Sequence, residues 1–306
     1  MGAAAVSIII VGYESQDTIA ACLASITAHA GMPVETIVVD NASTDGTLAL
    51  VNERFPEVRS VPMGQNRGFS AGCNAGARLA TARYLLFLNP DAELCAGSLA
   101  ALHAHLEASP RVAGAGPRFI DADGSPQDGA FTYPTLLMTW LEFFPHPGRV
   151  LHGPLNGRIT ARDDTPVAID HPLGACLLVR RAAWEEVGPF DEGFFLYCEE
   201  VDWCMRAKRL GWEINHVPTA AVLHHGGQSA ASAPAASLAY LYRSRQRLHA
   251  KYRGRCFRLA VRCITRLGLM HERRRLRGLA AAADPAPGRA AERLAGVEQA
   301  LRELGA

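Results

Sequence analysis

Short apolar runs alternate with longer amphipathic stretches through the first 120 residues of the chain. Residues 6–11, 36–40, 58–62 and 84–88 read as strands, and 18–30, 44–54 and 69–81 carry the apolar period of helices. Ser43 or Thr44 is placed to cap the second helix. Strand and helix in alternation predict a parallel sheet covered on both faces. Such sheets bind ligands beyond the carboxyl ends of their strands. Here those positions are Tyr13 and Glu14, Asp40 and Asn41, and Asn89 with Asp91.

From residue 119 to 172 the pattern breaks into a Pro-, Gly- and aromatic-rich stretch, too long for a connector and expected to be a substrate-side insertion. Regular structure resumes with a strand over 174–179, a helix over 200–210, a strand over 213–217 and a helix over 237–252. After Leu279 the composition turns to Ala, Arg and Gly, with a DPAPG linker before a last helix, and no internal repeat is present. The expected class is α/β, a sheet flanked by helices over residues 1–233, followed by a helical basic extension over 234–306.

Composition sharpens this picture in three ways. A hydrophobic content of 49% is enough to build a core. The charge is split: residues 1–242 hold 15 basic and 25 acidic side chains, and residues 243–306 hold 16 and 5. An acidic body therefore carries a basic tail, and with few aromatics in that tail a nucleic-acid partner is not expected. The eight cysteines form no CxxC pair and fall mostly in apolar runs, which suits reduced core residues and a cytoplasmic location. No apolar run reaches the length of a membrane span, and no basic n-region of a signal peptide precedes the first strand.

Five stretches carry candidate chemistry. Residues 38–47 (VVDNASTDGT) put Asp40 at a strand end, where a carboxylate accepts from a nucleotide base or a ribose hydroxyl; an ordinary turn with an N-cap fits the same residues equally well. Residues 64–76 (GQNRGFSAGCNAG) space Gly68, Gly72 and Gly76 for close helix packing, with Asn66 and Arg67 placed to hold a phosphate or nucleotide. No GxGxxG follows the first strand, against a dinucleotide oxidoreductase. Residues 87–94 (FLNPDAEL) leave Asn89 and Asp91 on one side of a turn, a hard-oxygen pair suited to Mg²⁺ or Mn²⁺ on a diphosphate, although Asp after Pro is also plain turn chemistry. Residues 188–212 set Glu199, Glu200 and Asp202 behind Phe194, Phe195 and Tyr197 at a helix start. Acids there complement the helix dipole; an acid beside aromatics in a cleft is also what a general base needs. Residues 221–229 (AVLHHGGQS) end a strand in a histidine pair, either structural or a further metal or phosphate contact.

In this order, VSIIIVGY, DNASTDGT, NRGFSAGCN, LNPDAEL, GPFDEGFFLYCEEVDWCMR and HHGGQS resemble the family 2 glycosyltransferases of GT-A fold, and within them the rhamnosyltransferase-like branch. The match spans residues 6–252. The resemblance implies a Rossmann-like nucleotide-sugar-binding mixed sheet. It makes Asp40 the ligand of base or ribose, Asp91 the metal ligand of a DxD-type motif, Glu200 the catalytic base and His224 a neighbour of the metal and diphosphate. Val11, Tyr13, Asn41, Asn66, Arg67 and Asn89 join the donor side, and Gly174, Glu199, Asp202 and Trp203 the acceptor side, with Glu199 and Asp202 as helpers that position an acceptor or an arginine. Two departures stand out: Asn89 replaces the first Asp of DxD, leaving one carboxylate, and Glu200 stands where Asp is commoner.

The activity so implied is inverting transfer of one sugar, a deoxyhexose such as L-rhamnose, from a nucleoside-diphosphate sugar to a hydroxyl of a glycan or polyprenyl-linked acceptor, with Mg²⁺ or Mn²⁺. The QxxRW motif of processive synthases is absent, which favours single addition. Rivals are a non-catalytic nucleotide-sugar-binding protein of the same fold and a nucleotide-sugar pyrophosphorylase; the latter's Gly-rich signature after the first strand is replaced here by VGYES. No motif fixes an oligomeric state.

In the tail, Arg255, Arg258, Arg262 and Arg266 recur every three or four residues, and Cys256, Ala260, Cys263, Leu267 and Met270 form an apolar stripe expected on the opposite side. Such a helix lies on an anionic bilayer, at the inner face of the plasma membrane, or packs on the domain with its arginines in solvent; the pattern fits both.

Overall fold

The computed structural model describes residues 4–144, 150, 153–161, 163–226, 234–281 and 287–305. The Gly227–Ser229 end of the histidine motif, and Asp284 to Ala286 of the DPAPG linker, lie outside the described residues. So do residues 145–149, 151–152 and 162 of the expected insertion.

Strands β1 (Val6–Gly12), β2 (Val34–Asp40), β3 (Arg59–Pro62) and β4 (Tyr84–Leu88) run parallel in the order β3-β2-β1-β4, joined through α1 (Ile19–His29), α2 (Thr47–Arg54) and α3 (Phe69–Leu79). The chain continues through β5 (Ala92–Leu94), α4 (Ser98–Ala108), β6 (Val112–Ile120), β7 (Pro126–Gln127), β8 (Ala130–Phe131), α5 (Leu136–Phe143), β9 (Val167–Ala168) and β10 (His171–Pro172). It then forms β11 (Cys176–Arg180), α6 (Arg181–Val187), α7 (Glu199–Arg209) and β12 (Glu213–His224). Beyond β4 the sheet extends as β11-β6-β12-β5. In that half β11 is antiparallel to β4 and β6, β12 is parallel to β6, and β5 is antiparallel to β12. The purely parallel sheet read from the first 120 residues thus holds for one half of a mixed sheet.

The period of two in each strand sorts its side chains between two cores. Val6, Ile8 and Ile10 of β1, Tyr84, Leu86 and Leu88 of β4, and Cys176 and Leu178 of β11 face one layer, with Ile19, Leu23 and Ile26 of α1 and Leu99, Leu102 and Leu106 of α4. Ile9, Val11, Leu85, Phe87, Leu177 and Val179 face the other, under Cys73 of α3 and Trp203, Cys204 and Ala207 of α7. Each such aliphatic or aromatic side chain contributes about 1.5–3 kcal/mol by leaving water. The glycine spacing on α3 is used for packing. A Cβ at Gly72 would stand 2.6 Å from Val11 Cγ1, and one at Gly76 would overlap Ile9 Cγ2.

One local expectation fails and one strand goes unmarked by the sequence, each for a physical reason. Neither Ser43 nor Thr44 caps α2, which begins at Thr47 after Gly46 in a left-handed conformation; Asp45 Oδ1 accepts from the Thr47 N–H instead (3.0 Å), while the Thr44 N–H donates to Glu14 Oε1 (2.9 Å). The strand β6 escapes periodicity because Gly114 and Gly116 dilute it. Gly116 is sterically required, since a Cβ there would overlap Pro172, and a Cβ at Gly114 would press on Leu177 Cδ1 at 3.2 Å.

Contacts divide the chain into two compact units. The first comprises Met1–Tyr133, Arg158–Phe195 and Glu199–Ser229 and contains the sheet. The second comprises Pro134–Gly157, Leu196–Cys198 and Ala230–Ala306. It gathers α5 with α8 (Pro234–Tyr252), α9 (Arg255–Ala281) and α10 (Pro287–Gly305) around Tyr242, Leu269, Leu276, Val297, Ala300 and Leu304. Part of the expected insertion therefore belongs with the C-terminal helices: a Cβ at Gly268 of α9 would overlap the Phe143 ring of α5. The faces of α9 also differ from expectation. Val261, Thr265, Leu269 and Leu276 are buried, whereas Cys256, Cys263 and Leu267 share the exposed side with Arg255, Arg258, Arg262 and Arg266.

Candidate active site

The carboxyl ends of β1, β2 and β4 meet where the strand order reverses direction, with β2 on one side of β1 and β4 on the other. Ligands of open α/β sheets bind at such a switch point. Asp40, opposite Gly12 in the register, is buried; its Oδ2 accepts from the Ser43 N–H (3.2 Å) and its buried Oδ1 has no hydrogen-bond partner. Tyr13 at the end of β1 is 38% exposed, an aromatic face open to a planar ligand. Asn41 instead ties two loops together, its Nδ2 donating to the Gly68 carbonyl (3.1 Å) and its Oδ1 accepting from the Arg67 N–H (3.0 Å). Asn66 closes the same turn by accepting from the Gly68 N–H (3.0 Å). Gly68, at φ +86°, is one position where only glycine fits, because a Cβ would overlap the Phe195 carbonyl oxygen. The Arg67 guanidinium sits on Glu192 at 3.1 Å, a half-exposed pair.

At the end of β4 the Asn89 N–H donates to the Ala175 carbonyl (2.9 Å), which joins the Asn-Pro-Asp turn to the residue beside Gly174. Asp91 is buried with Oδ1 lacking a hydrogen-bond partner, and His224 Nε2 stands 3.7 Å from that oxygen. Gln127 decides the state of the ring. Its Nε2 donates to the His224 carbonyl (2.7 Å) and to Asp121, so Oε1 is the atom that accepts from His224 Nδ1 (3.0 Å). Burial holds the His224 imidazole below its ordinary pKa despite the pull of Asp91 and Asp121. A neutral ring with its proton on Nδ1 leaves a lone pair on Nε2 facing an unpartnered carboxylate oxygen. That donor set fits a hard or borderline divalent cation. Among the described residues no group of three His, Cys, Asp or Glu could hold a metal ion, so these two leave the remaining positions to a ligand's oxygens and water.

The chain enters α7 through Tyr197 and Cys198, both at φ 69°, a left-handed conformation that costs a non-glycine residue about 1–3 kcal/mol and clusters at functional sites. Glu199 and Glu200 follow. Burial pushes the Glu200 carboxyl up to about 7, and burial together with the Glu200 charge pushes Glu199 well above the carboxylate range. Glu199 Oε2 is buried without a hydrogen-bond partner. Gly174 lies against Glu200, where a Cβ would be 3.3 Å from the carboxyl carbon. The segment at 174–175 thus touches Glu200 through one residue and Asn89 through the next.

Val11 and Trp203, expected at the ligand, are buried, and Asp202 takes the other of its two expected roles, positioning an arginine. Val11 packs its side chain against α3. Trp203 is fully buried, with its indole N–H donating to the Gly188 carbonyl (3.1 Å). Asp202 is likewise buried and pairs with Arg206 (2.9 Å), whose guanidinium also donates to the carbonyls of Val187 (2.7 Å) and Pro189 (2.8 Å). Sequence reading missed Gln127 and Asp121, since a glutamine in a Gly/Pro-rich stretch carries no local signal of the histidine 97 residues away.

The family model described as "Glycosyl transferase family 2" matches residues 7–187. The chain is also 33% identical over 253 residues, 78% of its length and 81% of the relative's, to an N-acetylglucosaminyl-diphospho-decaprenol L-rhamnosyltransferase of Mycobacterium tuberculosis. The chain belongs to glycosyl transferase family 2. Its fold is that of GT-A glycosyltransferases. The mannosyltransferase PcManGT from Pyrobaculum calidifontis, in complex with GDP-Man and Mn²⁺, superposes with a TM-score of 0.57 at 16% identity, covering 98% of this chain and 87% of that one. GalNAc-T7 with UDP, GalNAc and Mn²⁺ gives 0.54 at 17% identity over 72% of this chain, which spans 44% of that protein. The family match ends before Glu200 and His224, so the placement of those two residues rests on their geometry.

Proposed function

We propose that this family 2 glycosyltransferase moves a deoxyhexose such as L-rhamnose, with inversion, from a nucleoside-diphosphate sugar to a hydroxyl of a glycan or polyprenyl-linked acceptor in cell-surface polysaccharide synthesis. The Glu200 carboxyl carries the reading: half-buried, with its pKa raised to about 7 by desolvation, and set through Gly174 and Ala175 beside the Asn89–Asp91 turn. An acid of that strength is ionised in part at neutral pH and is basic enough to take a hydroxyl proton. A non-catalytic binding protein has no use for such a group. The rhamnosyltransferase named for the mycobacterial relative, with its decaprenol-linked acceptor, supports the choice of sugar and acceptor.

In this scheme Tyr13 and Asp40 hold the nucleoside, beside the turn at 65–68 that Asn41 and Asn66 brace. Asp91 and His224 would hold Mg²⁺ or Mn²⁺, which supplies positive charge against the diphosphate as it leaves. Glu200 accepts the proton of the acceptor hydroxyl as that oxygen attacks the anomeric carbon from the opposite face, which inverts the centre. Burial and the Glu200 charge favour the protonated form of Glu199, in which it places no second negative charge beside the base. No described helix is long and apolar enough to cross a membrane, and work at the inner face of the plasma membrane is part of the proposal. The test is a thermal-shift panel of dTDP, UDP, GDP and CDP with and without Mn²⁺ on the wild type and Asp91→Ala. Metal-dependent stabilisation by one nucleotide, lost in the variant, is expected; stabilisation by none of them would overturn the donor assignment.

A further inference from the structure

The second unit turns two apolar features outward. Helix α9 exposes Leu259 (62%) and Leu267 (58%), with Cys256 and Cys263 exposed on the same stripe at spacings of three and four residues. Helix α5 exposes Leu137 (46%) and Trp140 (41%). These surfaces connect. Trp140 stacks on Phe144 with ring centroids 4.0 Å apart, and Phe144 meets His271 of α9 at 6.2 Å, one turn beyond Leu267. Arg255 and Arg266 flank the stripe, and Arg262 and Arg258 lie further round the helix; all four are exposed, and the Arg262 guanidinium also donates to the Leu304 carbonyl of α10. Packing of α9 does not use this face, because Val261, Thr265, Leu269 and Leu276 hold it to its neighbours from another side.

Single exposed leucines need no explanation, but leucines, a half-exposed indole and a row of arginines on one surface are the composition of an interfacial helix. We infer that this face of α9, with Leu137 and Trp140 of α5, docks on an anionic phospholipid bilayer. Charge names the occupant: 16 basic and 5 acidic side chains fall in residues 243–306, while the rest of the chain is acidic and is repelled by the same surface. The leucines and cysteines would enter the acyl boundary, the indole would rest at headgroup level, and the arginines would reach the phosphates. The inference deepens the proposed function, because a polyprenyl-linked acceptor is reached from the bilayer surface. Its test needs neither donor nor acceptor, so a failed transfer assay and a failed docking assay are separate results.

The experiment is co-sedimentation of the full chain with vesicles of phosphatidylglycerol and phosphatidylcholine against phosphatidylcholine alone. Binding to the anionic vesicles that weakens with salt is expected. Arg255→Gln, Arg258→Gln and Arg266→Gln together should weaken it by about 100-fold, near fivefold for each arginine. Leu259→Ser with Leu267→Ser should weaken it by about tenfold or more. A second measurement uses no destabilising change: brominated phosphatidylglycerol should quench part of the tryptophan emission of the wild type, and that part should vanish in Trp140→Phe. Equal binding to both vesicle types, no binding, or binding and quenching untouched by these variants would overturn the inference. So would a wild-type dimer in light scattering that the leucine pair disperses, since the stripe would then belong to a second copy of the chain.

Discussion

His224 Nε2 stands 3.7 Å from Asp91 Oδ1, and the hydrogen-bond pattern of Gln127 leaves no proton between them. Two acceptors so placed repel one another unless a cation joins them. Asp91→Asn supplies an amide donor to the ring in the same shape. The melting temperature without metal should therefore stay level or rise, while the extra stabilisation by Mn²⁺ with nucleotide is lost. A variant with the wild-type metal response would contradict the assignment.

Gln127 makes a subtler case. Gln127→Leu frees the imidazole to change tautomer without touching Asp91, and loss of such an outer partner weakens metal affinity by about 10–100-fold. Titration of Mn²⁺ into the nucleotide complex, followed by melting temperature, measures the change; an unaltered midpoint would mean that the ring orientation is set elsewhere.

The raised pKa of Glu200 predicts two pH profiles. As a base it works ionised, so kcat/KM should fall below a pH of about 7, where burial places its titration. Stability runs the other way. The unfolded chain loses this proton in the ordinary carboxylate range and the folded chain only at about 7, so between the two the folded state holds the extra proton. Stability is then lost as pH rises through that window and levels off above it. Glu200→Gln should raise the melting temperature at pH 8 and leave it nearly unchanged at pH 4; an equal shift at both would show that the carboxyl is not desolvated.

Asp202 is a structural partner in this account. Asp202→Ala strands the Arg206 guanidinium and loosens the Val187–Pro189 carbonyls it holds, at a cost of about 3 kcal/mol or more. Urea unfolding should show that loss, with kcat per folded molecule changed far less. A large fall in kcat at full stability would return Asp202 to the acceptor.

Gly76→Ala tests the packing of α3 on β1. The added methyl meets Ile9 Cγ2, and overpacking of this kind costs about 1–3 kcal/mol. Denaturation that shows no loss would mean the helix lies further from the sheet.

How much of this is legible in the sequence depends on where each residue stands. Asp40, Asp91 and Glu200 sit at strand ends and a helix start, which hydrophobic periodicity marks directly, so their positions follow from the chain. Trp203 is misplaced by a sequence reading because a shared motif groups it with Glu200, whereas the helical rotation of about 100° per residue turns it into the core, and for Asp202 the motif leaves open the choice between acceptor and arginine that the contact with Arg206 makes. Gln127 is invisible to it: its contact with His224 depends on the pairing of β6 with β7 and β12, a long-range event. In α9 the sequence holds two apolar stripes, and periodicity alone does not say which one meets the neighbouring helices.

The proposed role of Glu200 as the base of a sugar transfer has a direct test. Donor affinity and transfer rate should be measured side by side for the wild type and Glu200→Gln, using the nucleotide sugar picked out by the thermal-shift panel. Donor affinity within about twofold of the wild type is expected, with a transfer rate lower by at least about 100-fold, the upper reach of acid–base catalysis being about 10⁴. Transfer at the wild-type rate, or a loss of donor binding as deep as the loss of rate, would contradict it.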